Sequence, residues 1–461
     1  MTMLNRTDRL GEENIKKLLM EFSVPATVGM LVNALYNIID RMYIGNSPDL
    51  GPLGIAGITI GFPLTIILMA LALLFGVGGA TMFSIHLGEK RPEQAGKYLG
   101  NAVTMLIVTS GVFMIISLMF LQPLMQLLGA SPDVMPYAKK YMEIVLWGSI
   151  IQALTMGLNN FIRADGSPKI AMVSMFLGAG FNIVFDPIFI YAFRWGMTGA
   201  ALATVGGQLL TLIWIAAYFS GKRCANKILP QNMKPECHVI KKILETGTPT
   251  FLTQLANSLL NVILNRSLII YGGDIAVSGI GVINSIQTFM LMPVFGISQG
   301  AQPIIGYNFG AGKTKRVKEG LKWAVIFATV IVVIGWLITR LFPGSLVGMF
   351  SRDTELAGFG GPAIRIWFLC LPLVGFQMVS ASYFQAVGKA RTATFLASTR
   401  QLIILIPAVI ILPKLFGLNG ILYAAPLADF LSSVITGIWL RMELRHLNFQ
   451  IRNDLVIKNK F

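Results

Sequence analysis

Apolar runs of about 20 residues, the length a helix needs to cross a bilayer, recur twelve times in this chain of 461 residues. They fall at roughly 20–44, 54–83, 99–121, 138–161, 168–192, 198–220, 244–270, 276–305, 321–342, 360–385, 392–413 and 418–441. Hydrocarbon offers no partner to backbone N–H and C=O groups, so runs of this length must satisfy them internally, as helices. The pattern predicts an all-α polytopic membrane protein with twelve transmembrane helices. Only 13% of the residues are charged, about half the share of a soluble protein.

The net charge of +16 would suit a nucleic-acid surface if the basic residues were gathered on one face. Instead they occupy short segments between alternate runs, such as Lys90, Arg91 and Lys97, then Arg163 and Lys169, then Lys313, Lys315 and Arg316. That asymmetry follows the positive-inside rule. It predicts a multi-pass protein of the cell (plasma or inner) membrane with both termini and the Gly221–Lys242 segment in the cytoplasm, and no nucleic-acid partner. The first run is of full length without a small-residue cleavage site, so it reads as a retained helix. Cys224, Cys237 and Cys370 lack metal spacing and predict no disulfide. His86, His238 and His446 lie far apart in polar connections, which excludes a histidine metal centre. Gly310-Ala-Gly-Lys-Thr314 resembles part of a phosphate loop, but Tyr307 stands where the first glycine belongs and no strand precedes it. No nucleotide partner or cofactor is expected, and pumping has to be ion-coupled unless another subunit drives it. The chain is expected to act as a monomer.

The two halves repeat at a shift of about 220–224 residues. Pro25, Asn33 and Asn37 align with Pro249, Asn257 and Asn261; Phe75-Gly76 with Phe295-Gly296; Ala164-Asp165-Gly166 with Ala386-Val387-Gly388; Gly196-Met-Thr-Gly199 with Gly417-Leu-Asn-Gly420. Six spans per copy keep both copies in one orientation, giving a six-helix bundle over 1–220, a cytoplasmic linker over 221–242 and a second bundle over 243–461. Parallel repeats of this kind are a transporter architecture, with the substrate cavity between the halves.

Acids break the symmetry. Asp40 aligns with Leu264, and Asp186 has no acidic counterpart near Pro407. Asn182 and Asp186 are four residues apart, which puts them on one helix face. Pro187 follows and frees the carbonyl of Ile183. Counting turns from the helix ends brings Asp40, Asn182, Asp186 and Thr204 to one depth in the outer half of the membrane. Tyr36 and Asn37 lie one turn below Asp40, as possible supporting residues. Two carboxyls sharing a partly dry site cannot both ionise cheaply, so a proton or a cation such as Na⁺ must stand between them. Pro25 offers a hinge through which such an event could bend the first helix. Arg400 and Asp429, in neighbouring spans, predict a structural ion pair. The 23 methionines suit adaptable apolar binding surfaces.

These residues resemble the multidrug and toxic compound extrusion (MATE) family of antiporters along essentially the whole chain. The specific matches are Asn-Ile-Ile-Asp40, Phe-Asn182-Ile-Val-Phe-Asp186-Pro187 and Gly199-Ala-Ala-Leu-Ala-Thr204. The resemblance implies a protein that exchanges incoming Na⁺ or H⁺ for an exported lipophilic cation, with Asp40, Asn182, Asp186 and Thr204 as the coupling site. Some members carry acids on helices 7 and 10; here Asn257, Asn261 and Asn265, and Gln377, Ser380 and Gln385, occupy those helices. The departure assigns coupling to the first bundle, as in the MepA-type branch, and leaves Asn257, Asn261 and Gln377 to the substrate path. A lipid or lipid-linked saccharide flippase on a related scaffold is the alternative, although it would want a cationic cavity. An intramembrane hydrolase using the two aspartates is a more distant one, and no enzymatic activity is expected.

Overall fold

A computed structural model of the chain describes residues 4–221, 224–350 and 354–458; Lys222 and Arg223 of the linker lie outside them. Among the described residues all regular structure is helical. The spans in chain order are α1 (Ile15–Gly45), α2 (Gly51–Gly88), α3 (Pro92–Met119), α4 (Met135–Trp147 with Ser149–Ala164), α5 (Pro168–Ala192), α6 (Met197–Ser220), α7 (residues 237–272), α8 (Ile275–Gly310), α9 (Thr314–Leu341), α10 (Gly358–Trp367 with Leu371–Ala386), α11 (Ala390–Phe416) and α12 (Leu418–Asn448). Nine are long and apolar enough by themselves, and eleven if each bent pair counts as one span. The exception is α7, where Asn257, Asn261, Asn265 and Arg266 dilute the apolar content of a helix otherwise long enough. A break at Gly273 (φ 62°) separates it from α8.

The interruptions have local causes. α4 bends by 56° where Gly148 divides it, and α10 by 47° ahead of Pro372. α5 passes into a π turn over Ile188–Ala192 directly after Pro187, and α11 contains one over Thr399–Leu405, shortly before Pro407. Such turns widen a helix and concentrate at functional positions. The repeat is equally visible in the turns. Gly196 and Gly417 take φ of 56° and 57° at the entries to α6 and α12, a conformation that costs side-chain-bearing residues steric strain.

By compactness the chain forms two units, Met1–Leu10 with Val28–Gln254, and Gly11–Thr27 with Leu255–Phe461. In the first, α2 packs on α3 and α4, and α5 on α6. An apolar cluster including Ile44, Ile58, Tyr141, Met142, Ile190 and Ala200 joins the C-terminal ends of α1 and α5 to the N-terminal parts of α2, α4 and α6. In the second, α9 packs on α10 and α11 on α12, around a buried Arg400–Asp429 ion pair with Nε 2.7 Å from Oδ1.

The α5–α6 contact is close because two glycines meet there. A methyl on Gly207 would lie 2.7 Å from the Gly178 carbonyl oxygen, and one on Gly178 2.6 Å from Thr211 Oγ1. Backbone cannot yield as a flexible side chain does, so Gly207→Ala is expected to cost about 1–3 kcal/mol. A lowered denaturation temperature in detergent checks this; an unchanged one would mean the helices part freely.

Candidate functional site

α1 and α5 run side by side in a register set by two contacts. Gly29 lies against Met175, where a methyl would come within 2.6 Å of the sulfur, and the Tyr191 hydroxyl donates to the Tyr43 carbonyl at 2.6 Å. Asp40 (6% exposed) and Asp186 (0%) are both buried between them and close enough to interact electrostatically. Asn182, one turn before Asp186, donates through Nδ2 to Asp186 Oδ1 at 3.5 Å and to Thr204 Oγ1 at 3.4 Å. The Thr204 hydroxyl in turn donates to the Ala200 carbonyl at 3.1 Å. The helix-face spacing, the depth count and the α5–α6 contact thus converge on one group of four side chains.

The chemistry of the group lies in what is left over. Asp40 Oδ1, Asn182 Oδ1 and Asp186 Oδ2 are all buried without a hydrogen-bond partner. Unpaired buried oxygens cost on the order of 1–3 kcal/mol each, more when charged. A proton between the carboxyls, or a small hard cation taking several oxygens at once, relieves that cost. The donor set is all oxygen, which fits H⁺ or Na⁺ rather than a soft metal.

Tyr36, one turn below Asp40, is half-buried and close enough to both acids to interact electrostatically. Asn37 is exposed and turns back along α1, its amide donating to the Asn33 carbonyl at 2.7 Å. Pro25 lies inside α1, which continues through it as a helix, two residues before the chain passes from the second unit to the first. In the second unit, Gln401 of the α11 π turn donates to Asn257, and Gln377 to the Leu396 carbonyl at 3.5 Å. Asn261 is exposed and bonds the Asn257 carbonyl at 2.9 Å. These three do not gather into one cluster. The three cysteines are free.

Sequence reasoning missed Tyr141. This α4 residue is buried near Thr204, Tyr36 and both acids. It lies within two turns of the start of α4 at Met135, but nothing in the sequence ties that segment to α1 and α5. The only signal was a tyrosine in an apolar outer segment.

Comparisons with known proteins bear on this arrangement. A sequence model described as MatE matches residues 25–188 and again 249–411, one match in each half. The multidrug export protein MepA of Staphylococcus haemolyticus (strain JCSC1435) is 29% identical over 418 residues, covering 91% of this chain and 91% of that protein. Among solved structures, an outward-facing multidrug resistance MATE family transporter of the MOP superfamily superposes with a TM-score of 0.89 at 26% identity, over 95% of this chain and 98% of that one. A MATE in the bent conformation gives 0.90 at 26% identity, over 96% and 98%.

Proposed function

The chain belongs to the MatE family, and from that premise we propose a secondary antiporter that exports amphipathic organic cations in exchange for H⁺ or Na⁺. It is a multi-pass membrane transporter; the exchange, the ion and the cargo class are our reading. The observation that carries it is the buried pair Asp40 and Asp186, which with Asn182 holds three buried oxygens without a hydrogen-bond partner. The name of the staphylococcal relative supports a multidrug cargo, and the 23 methionines of the chain suit adaptable apolar binding surfaces. The basic residues of the connecting segments support a cytoplasmic position for both termini in the cell membrane.

In this mechanism the ion enters from outside and joins the two carboxyls, with Asn182 and Thr204 as neutral ligands and Tyr141 packed close by. An ion can drive a change of shape only by binding one shape more tightly than the other. The pair provides that difference, since α1 and α5 each contribute one carboxyl and any shift between the helices alters their separation. Cargo then leaves on one stroke and the ion on the other.

Fluorescent-cation efflux from everted vesicles tests the reading. An imposed Na⁺ gradient without a pH gradient, followed by the reverse, is expected to drive efflux in one arm and identify the ion. Efflux in neither arm, with movement of lipid headgroups in proteoliposomes, would replace the reading with a flippase. Tyr141→Phe removes a buried hydroxyl close to Thr204 and the two acids. The apparent affinity for the coupling ion should fall about two- to tenfold with maximal rate little changed, and an unchanged affinity would take Tyr141 out of the site.

A further inference from the structure

Polar segments that join two bundles are ordinarily mobile connections. Here the segment after α6 is bonded to the first six-helix half at two places. Asp165, in the turn between α4 and α5, is 1% exposed. Its carboxyl accepts from the Tyr218 hydroxyl at 2.6 Å, the Asn226 amide at 3.1 Å, the Ala225 backbone N–H at 3.3 Å and the Cys224 thiol at 3.5 Å. The Ser167 hydroxyl in turn donates to the Tyr218 phenol oxygen at 3.0 Å. Burial pushes the Asp165 carboxyl up, and its four donors pull it back only in part. Among the described residues no basic side chain bonds to it, so it acts as a hydrogen-bond acceptor at a fixed place rather than as half of an ion pair.

A second fastening follows a few residues later. Asn101 of α3 is fully buried; its amide donates to the Asn232 carbonyl at 3.2 Å and its oxygen accepts the Glu236 backbone N–H at 2.8 Å. Thr104, on the same face of α3, donates to the Met233 carbonyl at 2.6 Å. Gly100 lies so close to the Asn232 carbonyl that a methyl there would overlap it. The exposed Lys97–Glu236 pair at 2.9 Å adds little in water. The backbone bonds and the absent side chain at Gly100 are what let the short 3₁₀ turn Pro230–Met233 sit directly on α3.

We propose that residues 224–236 form a strap, latched by Asp165 and clasped by Asn101, that moves as part of the first six-helix half. Changes of shape during the working cycle are then taken up beyond Glu236, and the strap delivers the start of α7 at a constant place. Asp165 and Asn101 are positioning residues in this scheme; neither touches ion or cargo.

Cys224 supplies a reporter. It is 1% exposed, and burial together with the neighbouring Asp165 pushes its thiol up, so it is a poor nucleophile while the strap is down. In a C237S/C370S background Cys224 is the sole thiol. Purified protein in proteoliposomes made permeable to the reagent is treated with a fluorescent maleimide. At fixed pH, labelling is expected to be slow and unchanged by a lipophilic cation or Na⁺, and to accelerate at least about tenfold in Asp165→Ala, as a local opening costs less. Asn101→Ala should act in the same direction if Asp165→Ala does not fold. Labelling at the rate of an exposed thiol in the parent, or a several-fold acceleration by ligand, would overturn the strap. A second arm introduces T104C and M233C into a C224S/C237S/C370S background. Oxidative cross-linking of that pair should leave the transport rate intact, and a rate lost on oxidation and regained on reduction would also overturn it. The labelling arm needs no transport, so it separates failure of the strap from failure of the antiport reading.

Discussion

Asp186→Asn is expected to reduce gradient-driven efflux to the level of vesicles lacking the protein, while leaving the protein folded and inserted. The substitution preserves size and keeps a polar atom beside Asn182, but it removes the group that can take up a proton or balance a cation opposite Asp40. Asp40→Asn should do the same, and Asp40→Asn with Asp186→Asn should be no worse than either alone. Residues that work as a unit lose their joint function with the first deletion, so their effects do not add. Efflux should be read beside thermal denaturation in detergent, where the Asn variants should match or exceed the parent, since each removes a buried charge or a shared proton. Full gradient-driven efflux in either variant would remove the pair from the mechanism, and additive partial losses would mean that the two acids bind separate ions.

The second large effect concerns stability. Arg400 and Asp429 are bonded at 2.7 Å within the second unit, both side chains largely withdrawn from water. Replacing one partner, as in Arg400→Met, leaves the other as a lone buried charge, and about 3–5 kcal/mol of stability should be lost. Replacing both, Arg400→Met with Asp429→Leu, should recover most of that loss, because an apolar pair of similar volume has no charge to desolvate. The outcome is a denaturation temperature that falls steeply in each single variant and returns toward the parent in the double. Ion-coupled efflux by the double variant should persist. A double variant that is stable but inactive would instead assign the pair a part in transport.

The sequence made the acids legible for reasons that particular residues illustrate. Asn182 and Asp186 were read from helical spacing, and Asp40 and Thr204 from turns counted to the nearest helix end. Tyr141 escaped because nothing in its own segment ties it to α1 and α5. Asn37 was placed near the site by the same count, yet its short amide finds a carbonyl one turn back, and local bonding of this kind competes with longer-range contacts. Pro187 signalled a disturbed helix, but not that the disturbance would take the form of a π turn, whose placement depends on packing against neighbouring helices. The span count differed at α7 for a compositional reason, since three asparagines and Arg266 lower its apolar content without shortening it. The fastening of residues 224–236 was hidden entirely: Asp165, Asn101 and Thr104 are remote from the linker in sequence, and only the fold brings their side chains to its backbone.

The account rests on one ion and one cargo molecule competing through the Asp40–Asp186 pair, and ion release on cargo binding measures that competition without any gradient. Purified protein in a weakly buffered detergent solution is mixed with a lipophilic cation while released H⁺ is followed with a pH electrode, and a parallel sample loaded with radioactive Na⁺ is followed by retained counts. The expected result is release of one of the two ions in proportion to cargo bound, abolished in Asp186→Asn. Saturable cargo binding with neither ion released, or release undiminished in Asp186→Asn, would contradict it.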